Sequence, residues 1–151
     1  MKKVYIGSDH AGFQMKERVK EALNEKYEFV DVGTHSDEAA DYPIYAEKVA
    51  NAVAADPNAQ GVLLCGNGVG IAIAANKVPG IRAALAFSKA SAASARQHND
   101  ANVVTTAGRE ELKEDPVDLV DTFLSTDFSG EERHVRRVEQ MKAIEEKHLK
   151  K

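Results

Sequence analysis

The segment Cys65-Gly66-Asn67-Gly68-Val69-Gly70-Ile71 combines a thiol with closely spaced glycines. It lies between an apolar run, Gly61 to Cys65, and a helical stretch, Ile71 to Asn76. Glycines let a backbone turn sharply and approach a ligand closely. Amides at a helix start point at anions. The segment lacks the Gly-Lys-Ser/Thr ending of a P-loop. It also fails the dinucleotide fingerprint, because Ile71 stands where the third glycine belongs. Two readings remain: an anion-binding loop of another kind, or a tight turn whose glycines serve packing alone. Cys65 beside the helix start is placed for a thiolate base or nucleophile, because the free amides favour the anion. A buried inert cysteine is the plain alternative.

Three other groups could join it. Asp9-His10 follows the first apolar run, with Gly12 close behind. His98-Asn99-Asp100 ends a helical stretch, where the helix C-terminus favours a protonated imidazole and a proton donor, or a simple cap. Arg133, His134, Arg136 and Arg137 cluster in a charged stretch. Arg133 and Arg137 are four apart and share a helix face, which suits a phosphate as well as a solvated surface. No metal site is expected: the five histidines are scattered and Cys65 is the lone cysteine.

These residues need elements to hold them. Val4-Tyr5-Ile6, Phe29 to Val32, Gly61 to Cys65, Arg82 to Ala86 and Asn102 to Thr105 read as strands. Between them, apolar residues recur at helical spacing, as in Met15, Val19, Ala22 and Leu23, or Ala46, Val49, Ala50 and Val53. Asp41, Ser88 and Asp115 are expected helix caps, two of them with proline close behind. Alternation of this kind predicts an α/β fold with a parallel sheet covered on both faces. Right-handed crossovers put all strand C-termini on one edge, where ligands bind. Asp9-His10, the 65–70 loop and the loop after the fifth strand all fall there. A final charged helix, about 131–150, carries a thin seam of Val135, Val138, Met141 and Ile144 that suits a partner subunit or its own domain.

At 151 residues the chain is expected to form one domain, 1–151. A net charge of −4 argues against a general nucleic-acid binder. A single cysteine excludes an internal disulfide and fits a reducing compartment. The N-terminal lysines lead into no apolar run of signal-peptide length, and no stretch is long enough for a membrane span. The expectation is a soluble, cytoplasmic protein.

Taken in order, these segments resemble the ribose-5-phosphate isomerase B family, which includes the sugar-phosphate isomerase subunits of the galactose 6-phosphate pathway. The matching residues are Gly7 to Gly12, Asp41-Tyr42-Pro43, Cys65 to Ile71, Ala74 to Lys77, Gly80 to Ala83, Arg96 to Asn102, and Arg133-His134 with Arg137-Val138-Glu139. The resemblance implies a Rossmann-like three-layer α/β/α sandwich with a five-stranded parallel sheet. It implies no cofactor, and a homodimer or dimer of dimers whose active sites are shared between subunits. The activity implied is interconversion of ribose 5-phosphate and ribulose 5-phosphate. Cys65 would move the proton between the two carbons, His98 would assist ring opening, and Gly66, Asn67, Gly68, Val69 and Gly70 would cradle the enediolate. Asp9, His10, Asn99, Arg109, Arg133 and Arg137 would contact substrate, the arginines mainly at the phosphate, with His134 nearby. Many members carry threonine or serine at the position of Asn67. An amide donates a hydrogen bond but cannot relay a proton as a hydroxyl does. Another branch replaces the cysteine with glycine and places a glutamate a few residues on; Cys65 puts this chain in the cysteine branch. The rival readings are a six-carbon sugar-phosphate isomerase, for example of allose 6-phosphate, and a non-catalytic anion- or nucleotide-binding module.

Overall fold

The computed structural model describes residues 1–149. Eleven elements alternate along them: β1 (Lys2–Ser8), α1 (Phe13–Leu23), β2 (Tyr27–Asp31), α2 (Tyr42–Ala54), β3 (Gln60–Cys65), α3 (Val69–Ala75), β4 (Ala83–Leu85), α4 (Lys89–Gln97), β5 (Val103–Ala107), α5 (Pro116–Ser125) and α6 (Glu132–Leu149). The expected end of the last helix at 150 lies outside the described residues. The strands form one parallel sheet in the order β2-β1-β3-β5-β4.

Strand burial explains this order. Every residue of β3 and β5 is buried, as continuous apolar runs in parallel sheets require. One face packs Val4, Ile6, Val62, Leu64 and Val104 against α1, α4 and α5. The other packs Leu63, Cys65 and Val103 against α2 and α3. The result is the expected three-layer sandwich.

The short strand β4 lies at the sheet edge, and Asn76 occupies part of its open side. The Asn76 amide donates to Ala83 O at 2.9 Å and its carbonyl accepts from Ala83 N at 2.8 Å. This imitates a strand partner and blunts the edge. Ser88 caps α4 through a capping box with Ser91, and Asp115 caps α5 by accepting from Val117 N. Asp41 takes the cap position of α2 without a side-chain bond.

Helix α6 lies beside the β4 edge. Its Glu145 carboxylate accepts from Gly80 N at 3.0 and 3.1 Å. Of the expected seam only Val138 is buried; Val135, Met141 and Ile144 are exposed.

Candidate active site

The C-terminal ends of β1, β3 and β5 meet at an open cleft of about 690 Å3, lined by Asp9, Tyr42, Cys65, Asn67, Gly70 and Arg109 among others. Backbone hydrogen bonds join the loops that shape it. Gly108 N donates to Cys65 O at 2.8 Å, and the Arg109 and Glu110 amides donate to Gly66 O at 3.0 and 2.9 Å. Gly12 lets the first loop lie directly on β3: a Cβ there would come within 2.4 Å of Leu64 O.

Cys65 is buried at the end of β3. Its Sγ accepts a hydrogen bond from Gly68 N at 3.2 Å. The amide is thus aimed directly at the sulfur. Gly68 directs that amide from a backbone at φ +84°, in the left-handed region. A Cβ at Gly68 would lie 2.7 Å from Leu85 Cδ1 and 2.9 Å from the Thr106 backbone. Thr105 Oγ1 donates to Gly68 O at 2.8 Å from below. Asn67 Oδ1 accepts from Val69 N at 3.0 Å. Its carbonyl is thereby spent on the turn, and its NH2 makes no hydrogen bond among the described residues.

Asp9 is buried, with Oδ1 accepting from Gly12 N at 3.0 Å. His10 Nδ1 lies 3.1 Å from both the amide and the carbonyl of Ala40, so Nε2 is its free nitrogen. Tyr42 was quoted in the sequence only as part of Asp41-Tyr42-Pro43. Its ring fills the space a Cβ on Gly70 would need, at 2.8 Å, and walls the cleft. A second unforeseen feature supports the loop after β2. Lys16 is fully buried, its Nζ 2.7 and 2.6 Å from the Asp31 carboxylate and 2.6 Å from Thr34 O. Gly33 and Thr34 exchange 2.8 Å backbone bonds with Ser8, directly before Asp9. Burial pushes the Asp31 carboxyl up, but hydrogen bonds from Lys16, Lys20 and Gly33 outweigh it and hold the carboxyl below its usual range. A helical lysine carries no sequence signal for such burial.

The other expected residues are elsewhere. His98 and Asn99 follow α4 and precede β5, beside the N-terminal ends of the strands, where Gly61 N donates to Asn102 O. Cys65 stands four residues further along β3 than Gly61, about 13 Å at strand rise. Arg133, and Arg137 one turn further along α6, lie with His98 at this opposite end. There, a hollow of about 360 Å3 includes His98, Ser129, Glu131, Arg133 and His134. The His98 and His134 rings stack with centroids 4.6 Å apart. His134 is buried, with Nδ1 2.6 Å from Ser129 Oγ. Loss of solvent, then the nearby Arg133, His98 and Arg137, holds its imidazole below the usual histidine value, with Glu131 opposing. Arg133 pairs with Glu131 at 2.6 Å. Arg137 is exposed and has no ion pair among the described residues. Thus Asp9, His10, Cys65, Gly66 to Gly70 and Arg109 form one group, and His98, Asn99, Arg133, His134 and Arg137 another.

The sequence pattern described as Ribose/Galactose Isomerase matches residues 4–141. The chain belongs to this family. It is 45% identical over 148 residues to the ribose-5-phosphate isomerase B of Escherichia coli (strain K12), covering 97% of this chain and 99% of that protein. The type B ribose 5-phosphate isomerase structure from Trypanosoma cruzi superposes with a TM-score of 0.92 at 45% identity, covering 97% and 100% of the two chains. The Mycoplasma genitalium ribose-5-phosphate isomerase B, with bound ribulose-5-phosphate, gives 0.89 at 39% identity, covering 95% and 96%. Family membership thus extends across both groups of site residues. Among the described residues no three His, Cys, Asp or Glu side chains converge as metal ligands, and no helix is long and apolar enough to cross a membrane.

Proposed function

We propose that this chain interconverts ribose 5-phosphate and ribulose 5-phosphate. The observation that carries the reading is the buried Cys65 thiol at the cleft, hydrogen-bonded by Gly68 N. The Cys65 thiolate removes the proton from C2 of the open-chain aldose. Negative charge moves to the carbonyl oxygen, giving an enediolate that the amides of Gly66 to Gly70 and the Asn67 NH2 stabilise, the usual largest contribution to such catalysis. The proton on the C2 hydroxyl passes to the C1 oxygen, Cys65 returns its own proton to C1, and the ketose forms. Asp9, His10 and Arg109 hold the sugar from the same chain.

Ring opening and phosphate binding need the second group, and one chain keeps it at the other end of the sheet. A second copy supplies it: its His98 assists opening of the furanose, Asn99 contacts the sugar, and Arg133 and Arg137 take the phosphate. His134 backs His98 as its stacked, buried neighbour. Exposed Val69 and Ile73 on α3, Leu85 and Phe87 at the end of β4, and Val135, Met141 and Ile144 on α6 supply apolar surface for such a homodimer or dimer of dimers. The family likeness over residues 4–141 supports a single isomerase domain. A working thiolate fits a reducing compartment such as the cytoplasm.

The test is ribulose 5-phosphate formation from ribose 5-phosphate without added metal, comparing wild type with Cys65→Ala. Loss of a general acid–base group lowers turnover by about 10²–10⁴-fold. A fully active Cys65→Ala enzyme would sink the assignment.

A further inference from the structure

We infer that Arg82 is a positioning residue for ring opening, holding His98 and Asn99 at the end of α4; the inference rests on the isomerase reading above. The His98 imidazole makes no hydrogen bond among the described residues and stacks on the His134 ring, at 4.6 Å between centroids. Its aim therefore depends on where the backbone places it. That backbone lies just past the last turn of a helix, where ends fray; the carbonyls of Ser94, Ala95, Arg96 and Gln97 are met by the amides of His98, Ala101, Asp100 and Ser129, and the next carbonyls, of Asn99 and Asp100, lie beyond those bonds.

Arg82 holds those two carbonyls. Its Nε donates to Asn99 O at 3.1 Å and Asp100 O at 3.2 Å, and its second terminal nitrogen donates to Asp100 O at 2.7 Å. Asp100 has φ +47°, the left-handed conformation of a residue that closes a helix end, with its amide donating to Arg96 O at 3.2 Å and the Ala101 amide to Ala95 O at 3.0 Å. Arg96 grips the same residue from the other side, 2.9 Å from Asp100 Oδ1 and 2.6 Å from Ala101 O. The root of Arg82 is itself fixed: its amide donates to Asn102 Oδ1 at 2.8 Å and its carbonyl accepts from Asn102 N at 3.0 Å. Arg82, Asn102 and Asp100 thus close a small ring of hydrogen bonds from which His98 and Asn99 project. A planar guanidinium reaches the two adjacent carbonyls from a fixed fork, whereas an ammonium on a flexible stem lacks that fixed geometry. A displacement of about 1 Å at a reacting group costs up to about 100-fold in rate.

Ring opening can be read apart from isomerisation in a Cys65→Ala background, as exchange between the furanose anomers of ribose 5-phosphate followed by 13C saturation-transfer NMR. The Cys65→Ala enzyme should accelerate the exchange, and adding His98→Ala should remove the acceleration. Adding Arg82→Lys should reduce it by about 10–100-fold. Adding Arg82→Ala should reduce it at least as much, with partial recovery in millimolar guanidinium chloride. If the Cys65→Ala enzyme does not accelerate exchange, the role given to His98 falls and takes this inference with it. If it does and Arg82→Lys keeps the parental rate, the positioning role alone is overturned. A loss in Arg82→Ala that guanidinium does not restore marks a merely structural residue and also overturns it.

Discussion

Mixing two inactive variants tests the division of the site between copies. Cys65→Ala damages one group and His98→Ala the other, and the two positions lie at opposite ends of parallel strands. The separation of at least about 13 Å along β3 is too long for both to touch one pentose carbon skeleton within a chain. In a mixed dimer with two-fold symmetry, one site receives both substitutions and the other receives neither. Random reassortment of equal amounts makes about half the dimers mixed, each with one intact site, so total activity should recover to about one quarter of wild type. The assay is ribulose 5-phosphate formation after the two variants are unfolded in urea together and refolded, against each refolded alone. Each alone should remain depressed. Recovery of nothing above the separate variants, with mixed dimers confirmed by native mass spectrometry, would refute the two-copy site.

Three further outcomes are expected. Gly68→Ala adds a left-handed penalty of about 1–2 kcal/mol and an overpacking cost of about 1–3 kcal/mol against Leu85 and Thr106, so urea unfolding should show a loss of about 2–5 kcal/mol, and unchanged stability would contradict the close approach. Asp31→Ala leaves the fully buried Lys16 with Thr34 O, the exposed Glu17 and the Phe13 ring in place of its carboxylate partner, a loss of about 3–5 kcal/mol in the same measurement. The lowered His134 value means that the unfolded chain binds more protons than the folded one between that value and the usual 6.5. Its contribution is therefore full above pH 6.5 and lost as pH falls toward the folded value. Unfolding midpoints measured from pH 7 to pH 5 should fall, and His134→Gln should flatten that slope.

Much of the architecture was legible because local signals agreed with the global fold. Ser88 and Asp115 mark helix starts through side chains that bond to nearby amides, a purely local effect. The continuous apolar run of β3 follows from burial on both faces. Strand order was not legible: β5 inserts between β3 and β4, and no short-range pattern records it. The Cys65 loop declared itself through glycine spacing. The position of His98 at the far end of the sheet follows from topology, since it ends a helix rather than a strand, but its chemistry invited grouping with Cys65. Lys16 was invisible because its burial depends on Asp31, fifteen residues on.

The placement of Cys65 on β3 also bears on how the molecule comes into being. β3 pairs with β1 on one side and β5 on the other, and neither is its neighbour in sequence. Closing such non-local pairs costs loop entropy before it returns any contact energy, which slows folding. During synthesis, β3 has only one of its flanking strands until Val103 to Ala107 has been made, and Gly108 N cannot yet bond to Cys65 O. The Cys65 sulfur therefore acquires its final setting late in chain synthesis, and a nascent chain ending before β5 carries a thiol without a finished cleft.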